Sequence, residues 1–103
     1  MQSIQQLADR IDGELRDAER YIIDAITAGD DDRDIADGYA RLSEEEMGHV
    51  KLLHDLATRK IAEYKADHGD PPADMLERWS ARHEKHTRRA DTIKALQDVY
   101  KKR

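Results

Sequence analysis

A carboxylate and an imidazole three positions apart on one helix can close on a single cation. The segment Glu46-Met47-Gly48-His49 has that spacing. Glu46 follows Leu42 by four positions and precedes Leu53 by seven. Helical periodicity therefore predicts that it projects along the middle of an apolar, buried face, with His49 one turn on. A carboxylate in that setting is costly unless it is protonated, ion-paired or bound to a cation. The competing explanation is a buried Glu–His hydrogen-bonded pair that fixes helix packing and binds no metal, because E-x-x-H arises by chance in a helical, Glu-rich chain. A further ligand is expected from the preceding helix. There Glu14 and Glu19 flank the apolar stripe, each about 70° from its centre, and periodicity leaves both open.

Two more histidines stand in Trp79-Ser80-Ala81-Arg82-His83-Glu84-Lys85-His86. His86 falls near the centre of its stripe and His83 on the edge, with Glu84 turned away. A His-x-x-His pair can bind zinc, nickel or iron but needs further ligands. Packing, or contact with the main site, is the commoner use of such residues. His54 and His68 lie at or off the margin of their stripe and receive no role. Asp30-Asp31-Asp32-Arg33-Asp34 lacks the spacing, the central Gly and the closing Glu of a calcium loop, and capping accounts for it better. Glu44 and Glu45 turn progressively toward solvent.

These side chains need long helices to hold them. Ala, Glu, Asp, Arg, Lys and Leu dominate the 103 residues, and there is no Phe, no Cys and only two Pro. Breaks fall at Gly29-Asp30-Asp31-Asp32 and at Gly69-Asp70-Pro71-Pro72. They predict helices over about 3–28, 32–68 and 72–101, the glycines ending two of them and the acids and prolines starting the next. Short connections make the first two an antiparallel hairpin. The predicted stripes are Ile4, Leu7, Ile11, Leu15, Ala18, Ile22, Ala25 and Ile26; then Ile35, Tyr39, Leu42, Glu46, His49, Leu53, Leu56 and Tyr64; then Met75, Trp79, His83, His86, Ala90, Ile93 and Tyr100.

Composition limits the function classes. Charged residues make up 40% of the chain and the hydrophobic set 38%. One protomer of a single all-α domain can then bury only thin apolar stripes, and a homo-oligomer, at least a dimer, is expected. Without Cys there are no disulfides and no thiolate ligands or nucleophiles, so a metal site must use carboxylate and imidazole. No apolar run has membrane-spanning length, and Met1-Gln2-Ser3-Ile4 is no signal-type start, so the expected location is cytoplasmic, without a membrane partner. The net charge is −5 and basic residues alternate with acids, which disfavours nucleic acid as a partner.

The stretch Glu14-Leu15-Arg16-Asp17-Ala18-Glu19-Arg20-Tyr21, followed by the turn, Ile35-Ala36, Glu46-Met47-Gly48-His49 and Leu52-Leu53, resembles the ferritin-like superfamily. The likeness is to its rubrerythrin-like and encapsulated-ferritin-like branches and covers roughly residues 7 to 57. In those families a first-helix ligand Glu stands seven residues before an aromatic, as Glu14 stands before Tyr21. The E-x-x-H follows ten residues after an Ile-Ala-like pair, as Glu46 follows Ala36. The resemblance implies Glu14 as a terminal ligand, Glu46 as a bridging carboxylate and His49 as an imidazole ligand, with Glu19 the alternative and Tyr21 and Tyr39 beside the site. A full ferritin-like bundle carries a second E-x-x-H, which this chain lacks. The encapsulated branch resembles half a ferritin, and a two-fold dimer there completes one di-iron site. The chain ends Asp98-Val99-Tyr100-Lys101-Lys102-Arg103, unlike the small and apolar targeting peptide usual in that branch, so an encapsulating shell is not supported.

The function expected from this resemblance is that of an iron-binding, four-helix ferritin-like dimer. Its di-iron site, shared between protomers, would oxidise Fe(II) as a ferroxidase and serve iron storage or detoxification, with other divalent metals able to enter. The alternatives are a non-enzymatic interaction module with a buried Glu/His cluster, and a mononuclear zinc or nickel binder built on His83 and His86.

Overall fold

A computed structural model describes residues 2–103. Three helices run α1 (Gln2–Ala28), α2 (Arg33–His68) and α3 (Ala73–Lys101). Their ends follow local chemistry. Gly29 (φ 50°) and Gly69 (φ 80°) take the left-handed region that stops a helix, and their amides donate to Ala25 and Lys65 carbonyls at 3.0 Å. Asp32 caps α2 by accepting the Ile35 amide at 3.2 Å. Pro72 stands at the start of α3, where a missing amide hydrogen costs nothing.

The helices pack into a rod of 56 × 19 × 18 Å. Paired contacts show α1 and α2 antiparallel: Glu14 meets His49, Ala18 meets Ser43, and Ile22 and Ala25 pack on Ala36. α3 runs parallel to α1, since Ile4 shares a cluster with Met75, Asp12 bonds His86, and Ile22 and Ala25 pack with Tyr100. α1 thus touches both other helices along its length. Its buried positions Ile4, Ala8, Ile11, Leu15, Ala18, Ile22 and Ala25 repeat at the alternating three- and four-residue intervals of a bundle core.

The stripe predicted for α2 needs correction. Its fully buried residues are Ala36, Ser43 and Ala57, seven or fourteen apart, with Val50 in the same row half-buried; Ile35 and Leu42 are exposed at 50% and 38%. Small side chains let α2 lie close to α1. Ser43 Oγ donates to the Ala18 carbonyl at 2.7 Å and accepts from Gln97 Nε2 at 3.0 Å, joining all three helices. The larger apolar residues therefore stand to one side of the packed row. No helix among the described residues is long and apolar enough to cross a membrane.

Candidate metal centre

Glu14 leaves α1 about 70° from the centre of its buried row, on the side facing α2 and away from α3. The opposite side of α1 carries Asp12 and Glu19. These meet α3 through His86 and Arg82 (Asp12) and through Arg89, 3.5 Å from Glu19. Glu46 and His49, one turn apart on α2, come to Glu14. His49 Nδ1 is 3.5 Å from Glu14 Oε2 and 3.6 Å from Glu46 Oε2. One ligand atom from each of the three residues lies within 4.8 Å of the others, and among the described residues no other group of three or more such side chains converges so closely.

The position of the pair is also corrected. Glu46 is part-buried, its side chain 18% exposed, but His49 is 57% exposed and Glu14 30%. The pair marks the rim of the α1–α2 interface, because the small-residue row and not the Leu42–Leu53 row sits at its centre. The cluster opens outward on the face bearing exposed Leu42 and Ile35.

One atom in it is unsatisfied. Glu46 Oε2 is buried and has no hydrogen-bond partner, a costly state for an oxygen that shares a negative charge. At 3.5 and 3.6 Å the imidazole is too distant to bond either carboxylate well. Two carboxylates and one imidazole could hold an iron-, manganese- or zinc-class divalent ion. The donor set does not by itself select iron within that class.

The other sequence candidates go elsewhere. Glu19 pairs with Arg89 and stands apart from the cluster. Tyr39 stacks on Tyr21 with ring centroids 6.1 Å apart, and Tyr39 also packs with the Ile22–Ala25–Ala36 cluster. His83 and His86 lie on the α3 side of α1 and are not neighbours of the Glu14–Glu46–His49 group. His86 bonds Asp12, while His83 stacks on His54 at 4.6 Å between centroids. Sequence reading missed that partnership. His54 falls only about 30° from the centre of the Ser43 row once that row is taken as the buried face, a signal hidden by the larger apolar residues beside it.

Asp12 is held ionised. Burial acts to raise its pKa, but hydrogen bonds from Arg82 and His86 and the charges of both outweigh it, and the net shift is downward. For His83, burial and then the charges of His54 and His86 push the pKa below the ordinary histidine value.

Compared with known protein families, with curated proteins and with solved structures, the chain matches none.

Proposed function

We propose that the chain is a ferritin-like half-bundle, two copies of which pair across the face bearing Glu14, Glu46 and His49 to hold two iron ions and oxidise Fe(II). The observation that carries this reading is the convergence of the three donors around the unpartnered Oε2 of Glu46. A packing cluster would be expected to satisfy its buried carboxylate internally, as Asp12 is satisfied on the other side of α1.

Pairing is supported by what shares that face. Three donors leave an ion short of the coordination iron takes, and Leu42 and Ile35 expose apolar surface around them. A copy related by a two-fold axis would cover those side chains and add the same three donors from the opposite direction, making four helices around one centre. α3 of the same chain cannot do this, since it packs on the opposite side of α1. Within such a centre Glu14, Glu46 and His49 of each copy would hold the ions, Glu46 being the most buried of the three. Bound iron supplies the one-electron chemistry, with oxygen or peroxide as oxidant. The chain's part is to fix the donors and offset the positive charge.

The test is Fe(II) titration of metal-free protein under controlled oxygen, following iron per chain, oxidation and oligomeric state, beside Glu46→Ala. The expected result is about one iron per chain in a dimer or larger assembly, with fast oxidation lost in the variant. Absence of stoichiometric binding by an intact helical oligomer would leave the cluster as a packing feature of an interaction module.

A further inference from the structure

The seam between α2 and α3 holds a second set of nitrogen donors. A cavity of about 230 Å³ is lined by His54, His83 and His86 together with Ile11, Met47 and Val50. Three of the chain's five histidines meet there. His86 is the most enclosed, its side chain 7% exposed, and its Nε2 lies 2.7 Å from Asp12 Oδ1. An ionised carboxylate can only accept, so Nε2 carries the hydrogen and donates. In the neutral ring the lone pair is then on Nδ1, and that atom is buried with no hydrogen-bond partner.

His83, one turn earlier on the same face of α3, likewise has a buried Nδ1 without a partner. His54 reaches it from α2, stacked at 4.6 Å, and Trp79 stacks on His83 at 5.8 Å and on His54 at 6.1 Å. Two orphaned imidazole nitrogens one turn apart, a third imidazole from the facing helix, and a carboxylate orienting the innermost ring from behind are the parts of a histidine metal site. Simple packing histidines would not leave two buried ring nitrogens unsatisfied.

We propose that His54, His83 and His86 form a second cation site for a zinc-class divalent ion, with water completing its coordination. The donor set decides the class. Neutral nitrogen donors suit zinc, cobalt, nickel and copper and suit magnesium and calcium poorly, and there is no thiolate. The three nitrogens are less closely gathered than the donors of the Glu14 group, so ligation turns the His54 and His83 rings out of their stack. Imidazole χ2 is a soft torsion that permits this. Because Trp79 is the only tryptophan and stacks on both rings, its emission reports the movement.

The site is tested apart from the iron reading by using tag-free Glu46→Gln/His49→Gln protein as parent, which lacks two of the three donors of the first cluster. Co(II) is titrated as a spectroscopic probe, followed by Zn(II) in competition. Expected are one Co(II) per chain, visible absorption typical of a low-coordinate nitrogen site, a parallel change in Trp79 emission, and affinity weakened by roughly tenfold or more in His86→Ala and in His54→Ala. His54 has a side chain 37% exposed, so His54→Ala carries the test where His86→Ala disrupts the fold. No absorption band and no change in Trp79 emission up to millimolar Co(II), or a His54→Ala protein that binds as tightly as its parent, would overturn the site.

Discussion

The two sides of α1 carry similar side chains in opposite states. Toward α3, the Asp12 carboxylate is engaged by both Arg82 and His86, and the anion is answered within the chain. Toward the open face, Glu14 and Glu46 have only a distant His49 between them, and one buried oxygen is bonded to nothing. The difference lies in the neighbours. α3 brings cations to one side of α1, while α2 brings a second carboxylate to the other. A buried polar group that finds its partners in the same chain serves architecture, whereas one that lacks them is a candidate ligand.

That contrast can be broken most strongly from the satisfied side. Asp12→Ala leaves a buried His86 nitrogen and part of Arg82 unpaired. It is expected to cost about 1–3 kcal/mol in a denaturant titration, toward the lower end because the Asp12 side chain is 42% exposed. On the open side the sign reverses. Glu46→Gln in metal-free protein replaces a buried, unpaired charge by a neutral amide and is expected to raise stability by about 1 kcal/mol while iron binding is lost. An Asp12→Ala protein as stable as wild type, or a metal-free Glu46→Gln protein less stable than wild type, would erase the distinction between the two clusters.

Acid gives the smallest and most selective effect. The folded pKa of His83 lies below the unfolded value near 6.5, so between those two values the unfolded chain binds more protons. Stability is complete above pH 6.5 and falls as the pH drops from there to the folded pKa. The Asp12 contribution, with its pKa lowered from 3.8, persists through that window and is lost only at stronger acidity. In the presence of chelator, melting temperature should therefore decline below pH 6.5 in wild type, and His83→Gln should flatten that part of the profile. An unchanged profile in the variant would show that His83 is not the group responsible.

Much of the fold was legible because punctuation in this chain is local. Gly29, Asp32, Gly69 and the Pro71-Pro72 pair end and begin helices through backbone chemistry that needs no tertiary context, and the helix bounds fall within about a residue of those expected. Most of the α1 stripe was legible because its apolar residues are regularly spaced, although Ala8 is buried where it was not expected and Leu7 and Ile26 are only half-buried. The α2 face was not. A count of large apolar side chains favours Ile35, Leu42 and Leu53, while the helix packs through Ala36, Ser43 and Ala57, where small size and one serine hydrogen bond allow close approach. Glu46 and His49 were nonetheless named from their spacing and Glu14 through the ferritin-like resemblance, and the structure brings those three together, yet periodicity alone could not separate Glu14 from Glu19. The position of α3, which pairs with Glu19 and leaves Glu14 free of it, makes that separation, and a tertiary arrangement of this kind is not written in any one helix. His54 was missed by the same error of face.

The asymmetry of packing also divides the molecule in time. α1 and α2 are joined by a four-residue turn and zipped along nearly the whole of α1, whereas α3 is held chiefly through α1 and meets α2 only sparsely. Slow amide exchange is then expected in the α1–α2 hairpin and faster, sub-global exchange in α3, which can detach as a unit. The Glu14–Glu46–His49 cluster lies wholly within the hairpin and the three-histidine seam spans both parts. An excursion that releases α3 dismantles the second cluster and leaves the first assembled.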